Sequence, residues 1–196
     1  MARIRPTPHL VLAIWLTALA GWHTVARTQE PGQGQSTLPP SVPAQYAFLY
    51  ARGMAPEAWN AAQKTFPYVS ISLARRGCFG TCPKYSATIR ADGGATYTGE
   101  QFTTRIGTYS ARTYFGDFAR LAMFIDQSGF MKLSDRYTAP WTDDETVVVT
   151  VVRRDGTVKS VSNYGRFGPP DLWVLERAID GVIEEMKWTS VGRGGF

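Results

Sequence analysis

Hydrophobic and polar positions along this chain switch period several times, and each switch marks an element. From Tyr68 to Arg75, Val69, Ile71 and Leu73 alternate with Ser70 and Ser72, which is the period of a half-buried strand. Lys84 to Arg90 alternates Tyr85, Ala87 and Ile89, and Ala91-Asp92-Gly93-Gly94 follows as a turn. Ala95 to Glu100 and Arg105 to Ser110 predict a third and a fourth strand. The period then lengthens. Phe118, Leu121, Ala122 and Ile125 fall on one face of a helix from about Thr113 to Ser128, closed by Gly129-Phe130. Thr146 to Val152 is a β-branched run, which predicts a central strand covered on both faces or nearly so. Arg154-Asp155-Gly156 turns it into a strand from Thr157 to Asn163. Leu172, Leu175, Ile179, Val182, Ile183 and Met186 trace a last helix, starting behind Pro169-Pro170 and ending near Trp188.

The order β-β-β-β-α-β-β-α predicts an α+β domain over residues 67–190. Its two layers are an antiparallel sheet of about six strands and two helices packed on that sheet. Ala44 to Phe66 is Ala-rich and reads as a helical lead-in, with Pro56 in a first helical turn and Trp59, Ala62 and Phe66 on one side. Residues 27–43 hold four prolines and two glycines, the density of a disordered linker, and residues 191–196 read as a flexible tail. Residues 1–26 combine Arg3 and Arg5, the apolar run from Leu10 to Ala20, and small-residue cleavage positions after Ala20 and Ala26. That combination predicts a cleaved signal peptide and a periplasmic or secreted protein. An uncleaved membrane anchor is the competing reading, disfavoured because eleven apolar residues are too few for a stable span of about 30 Å.

The formal charge of +5 is misleading as a nucleic-acid signal. Between Pro67 and Ser190 there are 15 Lys and Arg against 14 Asp and Glu, so the body of the chain lacks the basic excess that counterion release from phosphates requires. No nucleic-acid partner is expected. The pairs Arg75-Arg76 and Arg153-Arg154 could each hold one anion, but read first as exposed residues flanking hairpins. The only histidines are His9 and His23, both in the leader. Without one in the body, Ser-His-Asp and Cys-His catalysis and the usual catalytic zinc site are excluded, and neither cofactor nor metal is expected.

Cys78 and Cys82 are the only cysteines. In an exported protein a close, even pair is read first as a disulfide, with Gly77 and Gly80 giving the backbone room to bring the two together. A redox dithiol and a metal site are the other readings; the first lacks the C-x2-C spacing, the second lacks further ligands.

The run Arg76-Gly77-Cys78-Phe79-Gly80-Thr81-Cys82-Pro83-Lys84-Tyr85-Ser86, followed by Ile89, Asp92-Gly93, Tyr97 and Gly99-Glu100, resembles the signature of a bacterial family known as domain of unknown function 6438. Gly129-Phe130, Thr142-Asp143, Lys159, Ser162-Asn163-Tyr164, Leu175, Ile179-Asp180 and Trp188 extend the resemblance over about Tyr68 to Trp188. It implies an exported bacterial domain and carries no assigned activity.

Two clusters are candidate sites. Asp143, Asp144 and Glu145 follow Tyr137, Pro140 and Trp141, a set that could serve acid–base work on a sugar, hold Ca²⁺, or form a solvated acidic loop. Tyr164 and Arg166 lie in Asn163 to Pro170, which leads into the last helix and is either an anion site or a shaped connection. The candidate binding residues are therefore Tyr137, Trp141, Asp143, Asp144, Tyr164 and Arg166, and no catalytic residue is assigned. The function expected first is non-enzymatic: an exported domain binding an unknown protein or cell-envelope component through an edge strand or the bridged hairpin tip. A periplasmic small-ligand binder is the alternative, and a carboxylate-based enzyme comes third.

Overall fold

The computed structural model describes residues 43–50 and 56–192. The expectations for residues 1–26, 27–42 and 193–196 lie outside the described residues. The strands are β1 (Tyr68–Arg76), β2 (Lys84–Arg90), β3 (Gly94–Gln101), β4 (Gly107–Arg112), β5 (Arg136–Thr138), β6 (Thr146–Arg153), β7 (Val158–Tyr164) and β8 (Thr189–Ser190). The α-helices are α1 (Pro56–Thr65), α2 (Phe115–Gln127) and α3 (Pro170–Glu185), and 3-10 turns span Ala44–Tyr50 and Phe130–Lys132.

All eight strands form one sheet in the order β5-β7-β6-β1-β2-β3-β4-β8. The α+β class holds; among the described residues the expectation of about six strands and two helices becomes eight strands and three α-helices, the third being α1 in the expected helical lead-in. The sheet is mixed rather than antiparallel throughout, because β5 runs parallel to β7. The two strands absent from the sequence reading have three and two residues, too short for a period-2 pattern to register. Each sits at an edge of the sheet, where a short strand limits pairing with another chain.

One face of the sheet is buried under the helices. Ile71 and Leu73 of β1, Ala87 and Ile89 of β2, Tyr97 of β3, Val147, Val149 and Val151 of β6 and Val161 of β7 meet Phe118, Leu121 and Ile125 of α2 and Leu172, Leu175, Ile179 and Ile183 of α3. A register shift between Tyr68 and Ser70 turns Tyr68 inward and leaves Val69 exposed, against the simple alternation. The other face is open. Val148, Thr150 and Val152 of β6 are only half-buried, so the strand expected to be covered on both faces is covered on one. The open face is rich in hydroxyls, with Ser160, Thr150, Ser72, Thr88, Thr96 and Ser110 in cross-strand register. Ser72 and Thr88 hydroxyls bond at 2.9 Å, and those of Thr150 and Ser160 at 3.0 Å.

The lead-in belongs to the core. Tyr46 and Phe48 are buried, and the Phe48 ring stacks on Phe115 with centroids 5.5 Å apart. Trp59 and Phe66 pack edge-on against both rings of that stack. The Asp126 carboxylate accepts from the Tyr46 hydroxyl at 2.5 Å, from Gln45 at 2.8 Å, and from the Tyr68 hydroxyl. Burial and then that carboxylate push both tyrosine hydroxyls well above the usual range, so they stay protonated donors.

Candidate functional site

The connections at one end of the sheet are longer and less regular than those at the other, and beneath them the buried face turns polar. On β1 the inward series Ile71, Leu73 continues to Arg75, whose neighbours in register are Tyr85 on β2 and Val147 on β6. Glu145 lies two residues before Val147, and Asn163 two after Val161, so both extend the inward rows of their strands. On α3, Glu176 and Asp180 are four residues apart and share the face turned to the sheet. Arg75, Glu145, Asn163, Glu176 and Asp180 are all buried polar residues.

These groups satisfy one another. Arg75 NH1 donates to Glu145 Oε2 at 2.8 Å, while its Nε and NH2 clasp the Asp180 carboxylate. The Tyr85 hydroxyl donates to Asp180 Oδ1 at 2.5 Å. Burial alone would lower the Arg75 pKa, but the hydrogen bonds and charges of Asp180 and Glu145 outweigh it and raise it. Burial first, then the hydrogen bond to Asp180, raises Tyr85 above the ordinary phenol range. Glu176 accepts from Asn163 Nδ2 at 2.9 Å, and burial pushes its carboxyl up to about 7 despite that bond and the nearby Arg75 charge. Asn163 is itself held by the Gly168 N–H, 2.9 Å from its Oδ1.

Above this floor opens a cleft of about 380 Å³. Pro83 of the β1–β2 connection, Phe102 to Arg105 of the β3–β4 connection, Arg166, and Arg177, Ile183 and Glu184 of α3 line it. The β3–β4 connection is drawn in because Gly99 carries no side chain: a Cβ there would collide with the Arg105 carbonyl. Arg166 NH2 reaches Glu145 Oε1 at 3.3 Å, and Arg177 NH1 lies 4.0 Å from Asp180. Cys78 and Cys82 stand at disulfide distance beside the cleft, with Cα atoms 5.5 Å apart. Phe79 at the tip between them is 89% exposed.

The residues singled out in the sequence distribute unevenly. Trp141, Asp144 and Tyr164 come together: Trp141 Nε1 donates to Asp144 Oδ2 at 3.1 Å, and the Asp144 N–H donates to the Tyr164 hydroxyl at 3.3 Å. Gly165, at φ 63°, lets the Trp141 ring lie against the backbone, and Phe167 packs edge-on to that ring. Asp143 is exposed and accepts only from the Thr142 hydroxyl at 3.2 Å. Tyr137 lies on β5, where its hydroxyl accepts from the Ser134 N–H at 3.2 Å. Of the six, Arg166 alone lines the cleft. The three neighbouring acids are divided, since Glu145 turns inward to Arg75 while Asp143 stays in solvent. Among the described residues no group of three or more His, Cys, Asp or Glu is arranged to hold a metal ion.

Arg75, Tyr85, Arg105, Arg177 and Asp180 were not singled out as site residues. Arg75 in particular was expected to be an exposed hairpin residue; it is buried, and only Arg76 is exposed. The signal that finds it is parity, because it continues the inward series of β1.

A family model described as a domain of unknown function, DUF6438, matches residues 69–183, more than half of the chain. The chain belongs to that family. The DUF6438 match takes in β1 through nearly all of α3, so it includes Arg75, Tyr85, Glu145, Glu176 and Asp180 together with the cysteine pair. No curated protein matches the chain.

Proposed function

We propose that this DUF6438 chain is an exported, non-enzymatic binding domain that engages a protein or other cell-envelope component through the end of the sheet bearing the cysteine pair. The observation that carries this reading is the placement of exposed apolar side chains. Phe79, Phe102, Ile106, Trp141 and Phe167 are exposed and lie on the four connections at that end, whereas toward the other end only Val69, Tyr114 and Val158 are exposed among the large apolar residues described. Leaving large apolar groups in water costs about 1.5–3 kcal/mol apiece relative to burying them, so a cluster of them marks a surface that is covered in use.

Two further features support it. The edges of the sheet already carry short strands, which disfavours strand addition and leaves the hairpin tip as the route of recognition. The cysteine pair at disulfide distance fits an oxidising compartment, in line with the leader reading of residues 1–26 and cleavage after Ala20 or Ala26. No described helix is long and apolar enough to cross a membrane. Size-exclusion analysis of an envelope extract tests the proposal: the expected result is a stoichiometric complex with the wild-type chain, lost on Phe79→Ser or Phe102→Ser. A complex that survives both substitutions would overturn it.

A further inference from the structure

The cleft holds more guanidinium than its own carboxylates can engage. Arg75, Arg105, Arg166 and Arg177 line it, against Glu145, Asp180 and Glu184. Arg75 occupies the first two of those acids at close range. Arg166 and Arg177 reach the same two carboxylates only at 3.3 and 4.0 Å, and their side chains remain more than half exposed. Arg105 donates to the Thr104 hydroxyl at 3.5 Å and is ion-paired with no described carboxylate. Three forked donors thus border one space. Pro83, Phe102, Tyr97 and Ile183 supply its apolar walls. Phe102 and Arg166, both lining the cleft, hold φ values of 51° and 54°, a region non-glycine residues rarely adopt and one that clusters at ligand sites.

We propose that the cleft binds an organic monoanion, a carboxylate carried on an apolar body, with Arg105, Arg166 and Arg177 gripping the carboxylate and Phe102 and Pro83 covering the body. This deepens the binding reading above and rests on the same end of the sheet being the working surface. A planar carboxylate matches the guanidinium fork bidentately. A single negative charge is selected because the lining carries a formal excess of one positive charge; a dianionic phosphate would be left facing Glu145, Asp180 and Glu184. An organic body is selected because about 380 Å³ with apolar walls is the space of a small-molecule pocket, beyond what a bare inorganic anion fills. The carboxylate could belong to a free small acid or to the C-terminus of a polypeptide, and the chemistry of the grip is the same.

The test is calorimetric titration of the full chain, its cysteine pair oxidised, with N-acetyl-phenylalanine, the corresponding amide, phenyl phosphate at pH 7.5, and a tetrapeptide ending in phenylalanine with a free carboxylate. The acid is expected to bind at least tenfold more tightly than the amide and several-fold more tightly than phenyl phosphate. Arg105→Gln and Arg177→Gln should each weaken the acid about tenfold and the amide much less, so that the preference for the acid narrows. A tetrapeptide bound more than tenfold better than the acid assigns a polypeptide terminus; equal affinities assign a small acid. Equal binding of acid and amide, tighter binding of phenyl phosphate, or no binding of either acid at millimolar concentration would overturn the proposal. The two readings fail separately. Acid binding alongside a partner complex indifferent to both Phe79→Ser and Phe102→Ser sinks the partner reading alone, whereas a Phe79-dependent complex with no acid bound sinks the anion site alone.

Discussion

The two ends of the sheet solve the same problem, joining adjacent strands, in opposite ways. At the end away from the cysteines the turns are closed by local bonds: the Gly94 N–H meets Asp92 Oδ1 at 2.8 Å, and the Thr157 N–H meets Asp155 Oδ1 at 2.9 Å. Positive φ there falls on Gly93 and Gly156, the residues suited to it. At the cysteine end the positive-φ residues include Phe102, Asp143 and Arg166. That end also carries exposed aromatics and stands over a buried cluster of charges. A scaffold has no use for non-glycine strain, unburied aromatics or desolvated charge, all of which lower stability. Their concentration at one end separates the part of the molecule that holds the fold from the part that uses it.

That contrast can be broken by substitution, beginning with the charges. Arg75→Met would leave Glu145 and Asp180 buried without their counterion and should cost about 3–5 kcal/mol in urea unfolding. Asp155→Ala at the opposite end, on a fully exposed turn, should leave the urea midpoint close to that of the wild type. Equal costs would erase the distinction.

The next effect is one of pH. The Glu176 carboxyl is raised from 4.5 to about 7 in the folded chain, so between those values the native state binds the proton that the unfolded state has released. Stability from this group is greatest below about pH 4.5 and falls by about 3 kcal/mol as pH rises through 7, then levels. Glu176→Gln should flatten that part of the stability–pH curve and leave the chain more stable than wild type at pH 8. A wild-type curve that rises between pH 5 and 7 by the same amount would contradict the assignment.

Smaller again is the cysteine clamp. Cys78→Ser with Cys82→Ser should lose about 2 kcal/mol, the chain-entropy value for so short a loop, read as a fall in melting temperature of several degrees. Smallest is Phe79→Ser. A side chain that exposed has little packing to lose, so stability should stay within about 0.5 kcal/mol while the complex is lost.

The six longer strands and helices α2 and α3 were legible in the sequence because each repeats its period often enough to register. β5 and β8 were not, being three and two residues long. The docking of Tyr46 and Phe48 into the core was not legible either, since it depends on where a distant Phe115 and Asp126 stand. The floor of the cleft lay half in view. Parity along β1 and β6 puts Arg75 and Glu145 on the buried face with Leu73 and Val147, but charge at a strand end ordinarily means solvent. Only α3 crossing above, bringing Asp180 to Arg75, makes burial tolerable. The acidic loop was recognised as a group, yet its members were pulled apart: Glu145 into the floor, Asp144 onto Trp141, Asp143 into water.

The most direct test of the central claim, that the cysteine end is the working surface, is photo-crosslinking in the intact cell envelope with benzoylphenylalanine in place of Phe79 or of Val158. Both positions are exposed, one at each end of the sheet. A discrete adduct from position 79 with none from position 158 is the predicted result. Adducts of equal yield from both, or from position 158 alone, would contradict it.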